Sequence, residues 1–339
     1  MRRRAQVAIG AVLLAVTILA AAGIGVWNDL NSPLPLRADG AVFEVAPGTP
    51  LARLAHELGE RELLPHPKLL TAYARLSGDA TRVQAGEYRL PAGATPLELL
   101  EMLVKGNVVL HQFTVVEGWR FTDMLAALRR HSAVVPAATT GEEIMALLGK
   151  PGTHPEGQFL PDTYVFAKGT MELEILRWAH EALVGMLDAA WQARSPEVGL
   201  TDKYQALILA SIIEKETALA SERPIISGVF QRRLERGMRL QTDPTVIYGL
   251  GETFDGNLRR LDLTRDTPYN TYTRAGLPPT PIALAGADSI RAAVDPQMTD
   301  ALYFVATGEP DGSHRFSATI EEHNEAVRLY LQRLRSESP

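Results

Sequence analysis

The sequence predicts an α+β protein carried on an N-terminal helix long enough to cross a membrane. Three observations predict it. Residues 5–27, AQVAIGAVLLAVTILAAAGIGVW, hold no charged residue and match the roughly 20 residues a helix needs to span the hydrocarbon core. Short alternating runs that turn at a glycine and enter an apolar-faced helix recur at 43–58, 88–103 and 113–128, the periods of strand and helix in succession. Long helical stripes at 171–194, 206–220 and 223–236 then dominate the second half, with short strand patterns after them. At 339 residues and 46% hydrophobic, the chain is long enough for two domains and a sizeable core.

Arg2, Arg3 and Arg4 precede the apolar run. A basic flank predicts a cytoplasmic N-terminal tail (1–4) and places everything after the 5–27 anchor on the far side of the inner membrane. A cleaved signal peptide is the competing reading. Ala20, Ala21 and Ala22 offer it small residues, but its apolar region would be shorter, about 7–15 residues. Both readings put the working part on the periplasmic, extracytoplasmic side. Residues 28–40, with Pro33 and Pro35, read as a linker.

FEVAPGTPLARLAHEL at 43–58 turns at Gly48 and sets Leu51, Leu54 and Leu58 on one helix face. YRLPAGATPLELLEML turns at Gly93, and FTVVEGWRFTDMLAAL at Gly118. Strand–turn–helix is a common grammar, and duplication is not required to explain it. The first unit, the helical stretch HPKLLTAYARLSG and the strand QAGEYRL together resemble a LysM-like module, a small glycan-binding fold, over 41–110. Residues 111–150 read as a connecting strand and helix, and 151–335 as a catalytic domain.

In EGQFLPDTYVFAKG (156–169), Phe159, Leu160, Tyr164, Val165 and Phe166 suggest a strand or buried turn punctuated by Pro161-Asp162. Glu156 and Asp162 are candidate substrate-facing acids, with turn capping as the plainer role for the aspartate. The stripe Leu173, Leu176, Trp178, Ala179, Leu183, Leu187, Ala190 and Trp191 on the 171–194 helix is core packing.

ALILASIIEKETALA, 206–220, places carboxylates inside a nearly apolar helical run. At about 100° per residue, Glu216 falls in line with Leu209, Ile212, Ile213 and Ala220. Glu214 falls on roughly the opposite side, with Leu207, Ala210, Ser211 and Ala218. The two acids therefore cannot share one pocket. A carboxyl pressed into apolar surroundings disfavours its charged form, which moves its pKa toward what a general acid needs. Alternatively, E-K-E is a solvated turn of an ordinary helix.

The next helix, about 223–236, carries Ile225, Ile226, Val229, Phe230 and Leu234 inward and is ended by Gly237. RLQTDPT predicts an extended piece that breaks at Asp243-Pro244. PYNTYTRAGLPPTPIA (268–283) is too rich in proline for a central strand or helix. It suits a rigid loop offering hydroxyls, an amide and flat rings, the groups that hold sugars. The chain closes with a strand at 301–307, a second around His314–Phe316 and an amphipathic helix.

Composition excludes several classes. A net charge of −6 makes no electrostatic case for nucleic acid. There is no cysteine, hence no disulfide framework and no thiolate site. None of the eight histidines falls in a metal-ligand spacing. The G-x-S-x-G elbow, the P-loop and G-x-G-x-x-G are all missing, so no metal or nucleotide cofactor is expected.

ASIIEKETALASERPIISGVFQRRLERGMRLQTDPTVIYGLG, together with YNTYTRAGLPPTPIALAG, resembles the endolytic murein transglycosylases, the MltG or YceG-like family. The similarity extends over most of 150–335, and the anchor and LysM-like segment precede it in the family's order. The resemblance implies that Glu216, the second glutamate of the run, is the catalytic acid. It implies endolytic cleavage of the β-1,4 bond from N-acetylmuramic acid to N-acetylglucosamine in peptidoglycan strands, giving 1,6-anhydromuramic ends. Glu216 would protonate the leaving oxygen and then take the proton of the muramic C6 hydroxyl as it attacks C1. One acid suffices for this, whereas hydrolytic glycosidases use two carboxylates; Asp243, Asp162 or Glu222 could still fold alongside. Gln241 and Asp243 are expected to line the cleft, or else to form a structural turn. Tyr269, Asn270 and Tyr272 are candidate sugar contacts. The family's partners are glycan strands and the penicillin-binding synthases near which it releases or terminates nascent strands. A non-enzymatic murein-binding scaffold and a water-using muramidase stand as alternatives.

Overall fold

The computed structural model describes residues 2–137 and 139–337. The chain divides into two compact units, Met1–His111 with Val165–Gly169, and Gln112–Tyr164 with Thr170–Pro339.

The first unit begins with α1 (Arg2–Asn31), which continues past Trp27 through residues read from the sequence as linker. Its apolar side chains from Ile9 to Val26 face outward, but Leu30 is only 1% exposed and Leu34 5%, both inside the core of this unit. Then follow β1 (Ala41–Val45), α2 (Leu51–Glu60), α3 (Pro67–Ser77), β2 (Gly86–Leu90) and α4 (Pro96–Lys105). β1 and β2 pair antiparallel, Ala41 opposite Leu90 and Val45 opposite Gly86. Alternation sends Phe43, Val45, Tyr88 and Leu90 to one face, where they meet Leu54, Leu58, Leu70 and Leu103 in one buried cluster. Thr95 closes a capping box with Glu98 at the start of α4, with Pro96 as its first residue. The strand–turn–helix readings at 43–58 and 88–103 correspond to β1–α2 and β2–α4.

The chain then forms β3 (Leu110–Thr114), α5 (Phe121–Arg129), β4 (Val134–Val135), α6 (Gly141–Leu147), β5 (Thr163–Ala167) and β6 (Thr170–Met171). In the second unit Thr114 and Thr163 share a hydrogen bond of 2.8 Å where β3 ends and β5 begins. β4 and β6 pair parallel. Arg129 of α5 clamps Glu172, the residue that follows β6, through two bonds of 2.8 and 2.9 Å.

The rest is mainly helical: α7 (Glu172–Gln192), α8 (Lys203–Glu216), α9 (Arg223–Glu235), α10 (Asp243–Leu250), α11 (Arg260–Thr264) and α12 (Ala287–Val294). α8 is the centre, with every residue from Ala206 to Ile213 buried, as expected of a helix that is apolar all round. Asp202 caps its start by accepting from Gln205 N–H at 2.9 Å. The helix stops at Glu216, because Thr217 turns extended (φ −143°). Ala218 and Ala220 therefore do not continue its faces, contrary to the sequence expectation. The pair β7 (Tyr303–Ala306) and β8 (His314–Ser317) is antiparallel, and α13 (Ile320–Glu337) ends the described chain.

Candidate active site

Glu216 is the last residue of α8, and its position there decides its surroundings. The buried body of α8 delivers the side chain into a cavity of about 470 Å³ walled by Arg233, Leu240, Gln241, Thr242, Asp243 and Tyr272, with Tyr303 to Val305 and one face of α13 opposite. Loss of water pushes its pKa up to about 7, and the negative charge of Asp243 adds to this. Thr242, through its hydroxyl, lowers it against that trend, as do the more distant charges of His314 and Arg233. Thr242 Oγ1 donates to Glu216 Oε1. Such a carboxyl is both protonated and ionised near neutral pH, which is what a group acting first as acid and then as base requires.

Glu214 leaves α8 in another direction. Its oxygens accept from Arg223 Nη2 at 3.3 Å and from the backbone N–H of Gly286 at 2.9 Å. It is therefore spent on tying α8 to α9 and to the start of α12. The two acids do not share a pocket.

The wall facing Glu216 is built from RLQTDPT. Gln241 adopts φ +50°, a left-handed step uncommon for a residue with a side chain. This step turns Thr242 inward, where its N–H donates to Thr271 Oγ1 at 3.1 Å. Asp243-Pro244 ends the extended piece, as the sequence predicts. It starts α10, with Pro244 in the first turn, where a missing N–H costs nothing. Tyr272 donates its hydroxyl to Asp243 Oδ1 at 2.6 Å. Gln241, Asp243 and Tyr272 are thus gathered around Glu216.

Two candidates for sugar contact lie elsewhere. Asn270 is 1% exposed. Its amide faces the carbonyls of Asp262, Leu263 and Arg265 at 3.2, 3.2 and 2.7 Å, so it holds the loop rather than facing the cleft. Tyr269 packs edge-on against Tyr248 and shares a hydrogen bond of 2.9 Å with Thr280. Asp162 accepts from its own neighbour Thr163 N–H at 2.6 Å, and Glu222 is committed to His314 by bonds of 2.7 Å to its N–H and Nδ1. Neither lines the cavity. Glu156 is buried, accepts from Phe121 N–H at 2.9 Å and from Tyr248 hydroxyl at 3.2 Å, and burial pushes its pKa up to about 7.

Sequence reading did not single out Arg233, Thr242, Tyr303 or His323. Arg233 is 8% exposed. It spends its donors on the carbonyls of Leu302, Leu240 and Arg239 at 2.6, 2.8 and 3.3 Å, with its guanidinium over the Tyr303 ring at 5.2 Å. An arginine so deep beside a carboxyl is a detectable anomaly, but its register on α9 reads only as a polar position. No group of side chains suited to a metal ion occurs among the described residues.

The YceG-like family model matches residues 43–329. An endolytic murein transglycosylase of Bacillus subtilis (strain 168) is 32% identical over 310 residues, 85% of this chain and 84% of that protein. One from Streptococcus pneumoniae serotype 2 is 26% identical, covering 94% of this chain but 64% of its own longer length. Among solved structures, a yceG-like protein from Listeria monocytogenes at 2.6 Å superposes with a TM-score of 0.52 and 27% identity over 84% of this chain and 98% of that one.

Proposed function

The chain belongs to the YceG-like family, and from that premise we propose that it is an endolytic murein transglycosylase in which Glu216 serves as both acid and base. The observation that carries the assignment is a carboxyl with a pKa near 7, opening on a cleft and held at one oxygen by Thr242. With Oε1 engaged, Oε2 carries the proton toward the glycosidic oxygen between N-acetylmuramic acid and N-acetylglucosamine. The carboxylate left behind is favoured by the fields of His314 and Arg233 until it takes the proton of the C6 hydroxyl, which bonds to C1. The sugar closes to its 1,6-anhydro form, and no water is consumed. Asp243, oriented by Tyr272, is the nearest second charge to the developing oxocarbenium ion, and with Gln241 it lines the subsites.

The first unit is read as the LysM-like glycan-binding module, supported by its β1–α2–α3–β2 order. Helix α1 is read as a single-pass inner-membrane anchor with the catalytic unit outside. It includes a 20-residue segment of sufficient length and apolarity, Val12–Asn31, behind the three arginines. Murein strands near the membrane are then the substrate, and penicillin-binding synthases are the neighbours that produce them.

Uncrosslinked glycan strands incubated with the protein, with the new ends weighed by mass spectrometry, test the assignment. Ends lighter by one water than reducing muramic acid are expected, and Glu216→Gln should lower their rate roughly 10²–10⁴-fold while glycan binding persists. Reducing ends would make water the nucleophile and Asp243 its base. Cleavage retained in Glu216→Gln would remove Glu216 from the reaction, and binding without any cleavage by the unmutated protein would leave a scaffold.

A further inference from the structure

One wall of the cleft has a chemistry that the acid–base scheme does not use. Ile320, His323 and Val327 line the cavity from α13, at the i, i+3, i+7 spacing of a single helix face. Val305 of β7 stands beside them. The imidazole of His323 lies on the Tyr303 ring, centroids 5.3 Å apart and planes 25° from parallel. Arg233 covers Tyr303 as well, at 5.2 Å. The stack fixes the imidazole plane. Its Nδ1 is buried and has no hydrogen-bond partner among the described residues. Burial, and then the charge of Arg233, hold its pKa below the ordinary imidazole value, so at neutral pH it meets a ligand as a neutral donor and acceptor.

A ligand for this wall must therefore carry a neutral hydrogen-bonding group joined to a small apolar one. A carboxylate is disfavoured here, because Arg233 spends its Nε and Nη1 on three backbone carbonyls and the acids Glu216 and Asp243 share the cavity. A bare hydroxyl would leave three aliphatic side chains unused. An acetamido group meets both demands.

We propose that the α13 face of Ile320, His323 and Val327, with Val305, is the subsite for the acetamido group of a sugar held beside Glu216. The imidazole hydrogen-bonds the amide, and the aliphatic side chains receive the methyl. The subsite rests on the reading of the cleft as a glycan cleft. It makes the enzyme selective for N-acetylated over de-N-acetylated strands, because losing the acetyl leaves the imidazole unpaired and the apolar wall wet.

The test compares kcat/KM for uncrosslinked strands with intact and removed N-acetyl groups, counting anhydro ends. The unmutated protein should favour the acetylated strand by roughly tenfold or more. His323→Ala should lose most of that preference by slowing the acetylated strand alone, and His323→Gln, which keeps a neutral donor and acceptor, should restore part of it. Ile320→Asn, at a position 45% exposed and thus tolerant of a polar side chain, should narrow the preference as well if His323→Ala fails to fold. Equal rates on the two strands for the unmutated protein would overturn the subsite. So would a His323→Ala variant that slows both strands by the same factor, the mark of a structural histidine. No anhydro ends from either strand would instead sink the transglycosylase reading, and the subsite with it.

Discussion

Two carboxyls of the second unit, Glu156 and Glu216, have their pKa pushed up to about 7, in each case first by loss of water. They differ in what surrounds them. Glu216 opens on the cleft, whereas Glu156 is 3% exposed and holds the first N–H of α5 and the hydroxyl of Tyr248 on α10. Both are raised above their unfolded value of about 4.5, so the unfolded chain releases these protons more readily than the folded one. Their contribution to stability is therefore fully present below about pH 4.5 and is lost as pH rises through about 7. Each shift corresponds to about 3 kcal/mol between those limits. Glu156→Gln cannot ionise, and its amide carbonyl can still accept from Phe121 while the Tyr248 hydroxyl turns to accept from its NH₂. Urea unfolding at pH 5 and pH 8 should show this variant losing less stability across the interval than the unmutated protein. The same slope in both would mean that Glu156 titrates near 4.5 and is not desolvated.

At the level of elements, α8 and α9 define the cleft by how closely they are approached. Gly228 sits inside α9, where an added Cβ would stand 2.3 Å from the carbonyl oxygen of Gln297, a backbone atom that cannot yield easily. Gly185 in α7 has nothing within 4 Å of the same position. Thermal unfolding should thus separate two like substitutions. Gly228→Ala is expected to cost about 1–3 kcal/mol by overpacking, and Gly185→Ala to add about 0.5–1 kcal/mol of helix propensity. Equal effects would show that α9 does not pack against the 297 loop as described. Elements of this kind were largely legible in the sequence: periodicity located α7, α9 and the strand–turn–helix units, and the apolar run of α8 announced a buried helix bearing two diverging acids. The end of α8 was not legible, because the buried Thr217 leaves the helix with its hydroxyl bonded to Leu219 N–H and Glu222 and no glycine or proline marks the place. The break at Asp243-Pro244 was legible, but not that the pair opens α10, because a proline that ends an extended run also fits the first turn of a helix. Asn270 looked like a sugar ligand because an amide in a tyrosine-rich loop has that chemistry. Only the fold shows its hydrogen bonds already taken. The cleft draws on residues 216, 233, 240–243, 272, 303–305, 320, 323 and 327, and no local pattern links positions so far apart.

For the molecule as a whole, the way α1 joins the rest of the first unit sets what this helix can do. On the proposal that α1 is a membrane anchor, a flexible linker would let the rest of the first unit wander from the membrane, but none intervenes: α1 runs unbroken to Asn31, and Leu30 and Leu34 are part of that unit's own core. Leu34 N–H donates to Ala94 O at 2.8 Å, which ties the segment to the loop before α4. Trp27, 58% exposed, lies one turn before the buried leucine, where an amphipathic ring suits the membrane–water boundary. On the proposed anchoring by α1, the unit is held at the membrane surface by the same side chains that stabilise it, and weakening one function weakens the other. In the full chain in detergent, Leu30→Ala should destabilise the first unit by about 2–4 kcal/mol through the cavity it leaves. That loss should appear as faster hydrogen exchange at Leu34 and along β1 and β2. Val26→Ala, one turn earlier and 39% exposed, is the control that should leave exchange in the module unchanged. Exchange unaltered by Leu30→Ala would mean that the anchor ends before the module begins, and that a linker of ordinary flexibility separates them.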